Sequence, residues 1–441
     1  MSTPLKIAID AQLKPNSGSG GIESAMIGLI RALGQSDDGS EEYIIIGPWQ
    51  DPDWLKPYLG PSQRIVCGPR PPERKPGPLE PFKRGLGPLR PFVRAIWREL
   101  FPVPQSLPLR QWPEVPVSDG FYEGLGCNVI HFPSQSFTLC ALPTIYNPHD
   151  LQHLHYPQFF MPSTIAWRET IYPAGCHLAH TVVVGSHWVK QDIVRHYRVH
   201  PGKIQVIPLA PPTQAYPDPL PETLSSVQEK YNLKLPFCLY PAMTWEHKNH
   251  LRLLEALAYL RDRKELIVRV ICTGKRISSF WPRIEERLNA LRLGDQVRFL
   301  DMVPPADLRA IYRLAQFVVV PTLFEAASGP VAEAWQEGVP VACSKVTTLP
   351  EQTGDAALLF DPFSIEAIAD AVQRMATDEQ LRAEMVRKGK RRLKDFSWER
   401  TARAYRAVYR RAARRPVTDE DRWLLSWDWM KDSNPPRKAT S

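Results

Sequence analysis

Short apolar runs alternate with amphipathic stretches in the first half of the chain. Runs of this length, bounded by turn residues, are typical of strands buried in a sheet. Strands are predicted at 6–10, 43–46, 129–132, 143–146 and 181–184. A helix predicted over about 23–33 follows the first of them, after a glycine-rich loop. The opening segment is therefore a βα unit.

The second half alternates more regularly. Strands are predicted at 237–240, 266–272, 297–300, 317–320, 339–343 and 357–360. Helices are predicted at 251–261, 281–291, 306–314, 328–336 and 365–375. This alternation predicts a doubly wound parallel α/β sheet. Such sheets bind ligands beyond the carboxyl ends of their strands, so motifs that follow strands matter most.

Proline-rich stretches divide the chain into two domains. We predict an N-terminal domain over 1–206, with a Pro- and Arg-rich insertion at about 48–126. A Pro-rich hinge at 207–226 leads to a C-terminal domain at 227–395. A helix at 396–415 is expected to cross back to the first domain, and 416–441 is predicted to be a tail.

Composition narrows the class of protein. With 441 residues, 43% apolar and 23% charged, the chain is globular and long enough for two cores. Its net charge of +8 is concentrated at 84–98 and 403–415, which indicates local surface patches. The seven cysteines show no CxxC spacing and are predicted to be reduced thiols.

Reduced cysteines are typical of a cytoplasmic protein, which we expect here. No apolar run reaches the ~18–20 residues of a membrane span, so any membrane contact is expected to be peripheral. The segment 82–101 interleaves aromatic and basic residues, with Phe92, Ile96 and Leu100 on one side of a helix. It is a candidate for peripheral contact with the inner face of the membrane. The alternative is a helix packed on the N-terminal domain.

The most informative motif is the segment 324–333, directly after a predicted strand. Glu325 precedes a helix, and Glu333 lies in its second turn. Ser328 is a candidate N-cap, and Pro330 is tolerated in the first turn. The free N–H groups at such a helix end bind anions. Without further context, a capped helix with a surface glutamate would explain the segment equally well.

Lys248 and a glycine loop are candidates for contact with phosphate. Lys248 lies between a strand and a helix, where a lysine meets a diphosphate as a point charge. His247 and Lys275 are candidates for a second cation. Gly20 and Gly21 would allow the backbone to approach a ligand closely. The loop is not a dinucleotide fingerprint, because Glu23 occupies the third glycine position.

His149 follows a strand and a proline and is expected to face the cleft. A metal site formed by His149, His153 and His155 is an alternative, but their spacing matches no common zinc motif. The Asp-x-Asp spacings at 51–53 and 419–421 lie in the predicted insertion and tail. We therefore predict no metal site.

Taken together, these motifs resemble the retaining glycosyltransferases of the GT-B fold, in particular family 4, which carry an E-x7-E signature. The resemblance covers most of the chain outside the insertion and the tail. The other motifs that carry it are Gly20-Gly21, His149-Asp150, Gly185-Ser186, Lys248-Asn249 and the segment 354–362. The sequence departs from the family at Ser328, where a second glycine is common, and at 242–244, which leaves the second cation open.

The resemblance implies two Rossmann-like domains facing each other across a cleft, and a function for each motif. Glu325 would contact the donor sugar, Glu333 the ribose, and His149 the transferred sugar. Lys248 would meet the diphosphate and act in catalysis. The remaining donor-binding residues would be Gly20, Gly21, Ser328, Gly329, Pro330 and Val331.

The implied reaction moves a hexose, mannose or glucose, from a GDP- or UDP-linked donor to a saccharide or lipid-linked acceptor, without a metal or other cofactor. Synthesis of cell-surface polysaccharide or glycolipid would use such a reaction. The rival enzymes are a GT-B sugar epimerase and a phosphorylase. A nucleic-acid-binding protein is the rival from another class, but Glu325 and Glu333 would repel a polynucleotide, so no nucleic acid is expected as a partner.

Overall fold

The N-terminal half of the chain folds around one parallel sheet. The computed structural model describes residues 3–13, 21–35, 40–70, 115–211 and 218–428. The strands of this sheet are β1 (Leu5–Asp10), β2 (Glu41–Gly47), β3 (Gln63–Cys67), β4 (Val129–Phe132), β5 (Thr144–Tyr146), β6 (Thr181–Val184) and β7 (Ile204–Val206). Their order in space is β3-β2-β1-β4-β5-β6-β7, so the strand order reverses between β1 and β4.

The C-terminal half forms a second parallel sheet. Its strands are β8 (Cys238–Pro241), β9 (Val270–Thr273), β10 (Val297–Phe299), β11 (Phe317–Val320), β12 (Val341–Ser344) and β13 (Leu358–Phe360). They are ordered β10-β9-β8-β11-β12-β13, with the reversal between β8 and β11. The predicted fold class, two doubly wound Rossmann-like domains, is confirmed.

Helices cover both sheets. In chain order they are α1 (Gly21–Gln35), α2 (Phe121–Gly124), α3 (Gln152–His155), α4 (Pro162–Leu178), α5 (His187–Tyr197), α6 (Pro221–Lys230), α7 (His250–Lys264), α8 (Trp281–Ala290), α9 (Pro305–Leu314), α10 (Gly329–Gln336), α11 (Leu349–Thr353), α12 (Ile365–Thr377), α13 (Glu379–Leu393), α14 (Trp398–Ala412) and α15 (Asp419–Ser426). Because both faces are covered, the central strands are continuous apolar runs, as in β11, where every residue is buried.

The predicted insertion at 48–126 contains regular structure at both of its ends. Residues 52–58 form a 3₁₀ turn, and β3 pairs with β2 from Tyr43↔Gln63 to Gly47↔Cys67. The helix α2 also falls inside the predicted insertion. Sequence reasoning missed β3 because its pattern is half exposed at the sheet edge, where the apolar signal is weak. Residues 71–114, including the candidate membrane segment 82–101, lie outside the described residues.

The hinge and the tail also contain regular structure. The helix α6 begins at Pro221, inside the predicted hinge at 207–226, and α15 lies inside the predicted tail. Residues 212–217 and 429–441 lie outside the described ranges. In the part of the chain that the structure describes, no helix is long and apolar enough to cross a membrane.

The helix α14 returns to the N-terminal domain and packs on α1. Not all of the basic stretch 403–415 is a surface patch, because Arg406 is buried, whereas Arg414 is exposed. Arg406 Nε donates to Glu41 Oε2 at 2.8 Å, and Arg410 Nε donates to Glu41 Oε1 at 2.7 Å. Glu41 is buried at the start of β2. A buried carboxylate requires such partners, so part of the basic excess stabilises the fold.

A buried polar network also joins α14 to the first sheet. The Nε2–H of His131 donates to Asn147 Oδ1 at 2.7 Å, and Nδ1 accepts from the Tyr409 hydroxyl at 2.8 Å. Asn147 in turn donates to the Tyr405 hydroxyl at 2.7 Å. Burial lowers the pKa of His131 to about 4, so the imidazole is neutral at physiological pH. The C-terminal helix is thus an integral part of the N-terminal domain.

Candidate active site

An ion pair lies at the point where the strand order of the second sheet reverses. Lys248 Nζ is 2.5 Å from Glu325 Oε1. Lys248 ends the 3₁₀ turn 246–248 that follows β8, and Glu325 lies in the loop that follows β11. Since β8 and β11 are neighbours and parallel, their carboxyl ends bring the two loops together. Two groups 77 positions apart in the sequence therefore converge.

Backbone hydrogen bonds hold these loops in place. Leu323 N donates to His247 O at 2.7 Å, which ties the loop after β11 to the one after β8. Glu325 N donates to Thr347 Oγ1 at 3.0 Å, and Thr347 Oγ1 donates to Glu325 O at 2.7 Å. The loop after β12 therefore supports Glu325 from the other side. The backbone of Glu325 is therefore fixed.

Asn249, the second residue of the Lys248-Asn249 motif, has a structural function. Its φ is 62°, in the left-handed region that asparagine tolerates better than most residues. Its Nδ2 donates to the carbonyls of Pro321 and Pro362 at 2.9 and 3.0 Å. Asn249 thus joins three loops and leaves Lys248 at the surface of the cleft.

The segment that departs from the family at 242–244 packs against its neighbours. Thr244 is fully buried, and its Oγ1 accepts from Ile277 N at 2.7 Å. Gly274 lies against the same segment with a φ of 118°. A side chain at this position would place its Cβ 2.7 Å from the Ala242 carbonyl carbon, so the close packing requires glycine. Burial lowers the pKa of His247 well below its usual value, so His247 is neutral and does not supply a second cation. Lys275 is exposed in the same region.

The helix α10 begins where predicted, but Ser328 does not cap it with its side chain. Ser328 occupies the N-cap position, yet its hydroxyl makes no capping hydrogen bond and is buried without a partner. The Gln352 side chain instead pairs with the Ser328 backbone, accepting from N and donating to O, both at 2.8 Å. The first-turn N–H groups of Gly329 and Val331 have no intrahelical partner, and Pro330 has no N–H.

Glu333 lies one turn into α10, in a less polar environment than Glu325. The Tyr312 hydroxyl donates to Glu333 Oε2 at 2.7 Å. Burial, opposed by the hydrogen bond from Tyr312 and aided by the nearby Glu337 carboxylate, raises the pKa of Glu333 to about 7. Sequence reasoning missed Tyr312, because it lies on α9, 21 positions away, with no motif of its own.

The opposite wall of the cleft carries His149. This residue follows β5 with φ of 66°, and its Nε2–H donates to the carbonyl of Pro133 at 2.7 Å. That bond leaves Nδ1 as the acceptor. Burial lowers the pKa of His149, so the ring is neutral. Gly21 begins α1 with open space around it, whereas Gly20 lies outside the described residues.

The three histidines of the alternative metal site do not converge. His149 faces Pro133, while His153 Nε2 lies 2.7 Å from Glu169 Oε1. His155 Nε2 lies 2.9 Å from Asp192 Oδ2. Within the described ranges these three rings form no common cluster.

The two domains meet beside the site through residues that sequence reasoning missed. Glu351, on α11, accepts from the backbone N–H groups of His187 and Trp188 at 2.6 and 2.8 Å. These groups form the first turn of α5, which Ser186 caps through a bond from Val189 N of 3.1 Å. The Glu351 carboxylate therefore lies at the N-terminus of a helix of the other domain, where the helix dipole favours an acceptor. A contact between domains leaves no periodic signal in the sequence.

Two family models match the chain. "Glycosyltransferase Family 4" matches residues 19–213, and "Glycosyl transferases group 1" matches residues 223–392. The chain belongs to the family 4, group 1 glycosyltransferases. This glycosyltransferase carries the candidate site at the same reversal of strand order at which open α/β sheets bind their ligands.

Curated relatives cover parts of the glycosyltransferase. It is 29% identical over 268 residues to O-antigen chain mannosyltransferase B of Escherichia coli, across 59% of this chain and 69% of the relative. It is 28% identical over 239 residues to D-inositol 3-phosphate glycosyltransferase of Corynebacterium glutamicum, across 52% of this chain and 57% of the relative.

Solved structures resemble the fold over nearly the whole chain. Sucrose-phosphate synthase from Thermosynechococcus elongatus superposes with a TM-score of 0.66 at 20% identity, covering 92% of this chain and 98% of that one. HepE from Anabaena, solved with UDP and glucose, gives 0.64 at 16% identity, covering 92% and 99%. These likenesses establish the shared fold.

Proposed function

We propose that this glycosyltransferase moves a hexose, mannose or glucose, from a GDP- or UDP-linked donor to a saccharide or lipid-linked acceptor, with retention of anomeric configuration. The observation that carries the proposal is the Lys248–Glu325 pair, 2.5 Å apart beside the free N–H groups of α10. The site thus combines a cation, an anion and the start of a helix where the strand order reverses. Such a set of groups can bind a nucleotide sugar, which has a charged diphosphate and a hydroxylated sugar.

Lys248 and the start of α10 would hold the diphosphate. The ammonium of Lys248 supplies a positive charge, and the N–H groups of Gly329 and Val331 supply donors at the positive end of a helix dipole. As the bond to the sugar breaks, negative charge grows on the leaving phosphate, and these fixed groups stabilise it. In this proposal no metal ion is required at the diphosphate.

Glu325 would orient the transferred sugar. Its carboxylate accepts hydrogen bonds, and sugar hydroxyls donate them. When a donor arrives, Lys248 would exchange part of its contact with Glu325 for the diphosphate, and Glu325 would turn to the sugar. The two loops are fixed by their backbone bonds, so only side chains need to move.

Glu333 would bind the ribose hydroxyls of the nucleotide. Its carboxylate already accepts one hydrogen bond, from Tyr312, and retains capacity for more. Burial raises the pKa of Glu333, whereas ribose hydroxyls that donate to its carboxylate favour the ionised form. Binding of the ribose near neutral pH would therefore require Glu333 to lose its proton.

His149 would contact the transferred sugar from the N-terminal wall. Because Nε2–H is held by Pro133 O, Nδ1 is the ring atom that can accept from a sugar hydroxyl. A neutral ring suits this function, since it adds no charge near the anomeric carbon as that atom becomes electron-poor.

A front-face route accounts for retention with these groups. The anomeric carbon breaks its bond to the leaving phosphate oxygen and bonds to the acceptor oxygen on the same face. The acceptor's proton passes to the leaving diphosphate, so the atoms and charges balance. No carboxylate nucleophile is needed, and the ion pair with Lys248 supports a positioning function for Glu325 rather than a covalent one.

The names of the relatives support a hexose and a cell-surface product. One relative is named for an O-antigen chain, and another, from Escherichia coli, is a serotype-specific mannosyltransferase that is 28% identical over 185 residues, spanning 22% of its length. We accordingly place the reaction in cell-surface polysaccharide or glycolipid synthesis. The basic segment 82–101 stays a candidate for contact with a membrane surface.

The test is a donor panel with the purified full chain. GDP-mannose, UDP-glucose and related donors are incubated with saccharide and lipid-linked acceptors, and the anomer of the product is assigned by NMR. We expect transfer from one donor with retention, and a lower kcat in Glu325→Gln. An inverted product would contradict the retaining mechanism. Conversion of the donor to another sugar nucleotide without acceptor would favour an epimerase.

A further inference from the structure

A buried carboxylate outside the donor site contacts two imidazoles. Asp192 on α5 is only 3% exposed. His155 Nε2 lies 2.9 and 3.0 Å from its two oxygens, and His196 Nε2 lies 3.4 Å from Oδ1. The three residues belong to neither the Lys248 site nor the His149 contact.

The sequence places these groups together by simple helical geometry. Asp192 and His196 are four positions apart on α5, so their side chains lie on one face of the helix. His155 is the last residue of α3, which packs beside that face. The rings of His155 and His196 meet edge to face, with centroids 5.5 Å apart.

The charge of Asp192 requires compensation. Buried carboxylates in proteins are paired with a cation or bind a metal. Among the described residues, no lysine or arginine forms an ion pair with Asp192, and its partners there are the two histidines.

The geometry points to a zinc site formed by His155, Asp192 and His196. Two imidazole nitrogens and a carboxylate oxygen are ligands that zinc commonly binds, at about 2.0–2.2 Å. Ligands around a tetrahedral zinc at that distance lie about 3.3 Å apart. One ligand atom from each residue lies within 4.8 Å of the other two. Asp192 Oδ1 lies 3.0 Å from His155 Nε2 and 3.4 Å from His196 Nε2, which is close to that spacing. His196 is exposed, which leaves the fourth position open to water.

A zinc ion here would organise the wall of the cleft rather than the chemistry. The His155 ring packs against Trp188 and Phe324, each with centroids 5.5 Å apart. Phe324 directly precedes Glu325 but belongs to the other domain. Fixing His155 would therefore fix an aromatic contact between the domains. The proposal is independent of the metal-free transfer step, because none of the three ligands contacts Lys248 or Glu325.

The test uses zinc chloride and the purified full chain, freed of metal with a chelator that is then removed. Calorimetry at pH 7.5 should show one zinc bound per chain. The variant His196→Gln, at an exposed position, should weaken zinc binding by at least ~10-fold, and Asp192→Asn should do the same. Added zinc should raise the Tm of the wild type and not of either variant.

His180→Gln is the matched control, since His180 is exposed and lies outside the cluster. It should bind zinc like the wild type. His196→Gln keeps the test decisive if Asp192→Asn fails to fold. Absence of stoichiometric zinc binding by the wild type, or undiminished binding by His196→Gln, would overturn the proposal.

Discussion

The two sheet edges that face each other across the cleft differ in their chemistry. The C-terminal edge carries fixed charges, with Lys248 and Glu325 2.5 Å apart beside the start of α10. The N-terminal edge carries His149, whose pKa burial lowers and whose ring is held by a backbone carbonyl. One edge suits a charged diphosphate, and the other suits neutral hydroxyls. Binding of the nucleotide and positioning of the sugar should therefore be separable by mutation.

The largest effect is expected at Lys248. Lys248→Ala removes the cation proposed to meet the growing charge of the diphosphate, so the transfer rate should fall by ~10²–10³-fold. Lys248→Glu should be worse, because it places an anion there. Brief treatment of the wild type with EDTA should leave the rate unchanged.

The matched control is Lys234→Ala, which removes the same charge from an exposed position in the loop before β8. Its rate should stay close to that of the wild type. A rate that EDTA abolishes and that magnesium restores, but zinc does not, would contradict a metal-independent transfer step.

Glu325→Gln should chiefly lower kcat, by ~10²-fold, because its contact with the sugar tightens in the transition state. Binding of the nucleoside diphosphate should stay the same or strengthen, since Lys248 loses its competing partner. Steady-state kinetics and calorimetry measure the two quantities. Glu246→Gln, which removes a carboxylate paired with Arg283 at 3.0 Å, is the control. A weakened nucleotide affinity in Glu325→Gln would break the proposed division of function within the C-terminal edge.

His149→Ala tests the other edge. Loss of a neutral hydrogen bond to the sugar should lower kcat by ~10-fold and leave the affinity for the nucleoside diphosphate unchanged. The pKa of His149 is lowered, so this residue should cause no change in rate between pH 7 and 8. Equal loss of nucleotide affinity in His149→Ala and Lys248→Ala would mean that the edges are not specialised.

The sequence allowed the sheets to be predicted because their strands are continuous apolar runs. The predicted second sheet matches the observed one closely, although β9 begins at Val270 rather than at 266. Position 265 has a left-handed φ of 52°, and the chain needs residues 266–269 to leave α7 before the strand begins. Edge strand β3 was missed, because an edge strand shows little apolar periodicity.

Only the site residues that belong to motifs in the sequence could be predicted. The positions of Lys248, Glu325 and Glu333 at one end of the sheet follow from strand order. The hydrogen-bond partners in the site do not follow from strand order. Tyr312 and Gln352 lie on other helices and resemble ordinary surface or core positions in the sequence. The capping function expected of Ser328 is wrong for the same reason: Gln352 takes the backbone bonds instead.

Glu333→Ala sharpens the comparison within the C-terminal edge. If Glu333 binds the ribose, Glu333→Ala should lower the affinity for the nucleoside diphosphate by ~10-fold. Inorganic pyrophosphate has no ribose, so its affinity should be unaffected. Calorimetry with both ligands separates ribose recognition from diphosphate recognition. Unchanged affinity for the nucleoside diphosphate would rule out the ribose assignment.

The smallest effect concerns the cost of ionising Glu333 in the folded protein. Its pKa is about 7, against an ordinary 4.5, so folding favours the protonated form. The stability that this group contributes is present in full below about pH 4.5 and is lost as the pH rises through about 7.

Glu333→Gln keeps an uncharged acceptor for the Tyr312 hydroxyl and cannot ionise. The variant should therefore match the wild type in Tm at pH 5 and exceed it by ~2–5 °C at pH 8. Exposed Glu285→Gln should show no such dependence on pH. Thermal unfolding followed by circular dichroism at both pH values measures the difference. The same difference at pH 5 and pH 8 would show that it arises from packing rather than from the ionisation of Glu333.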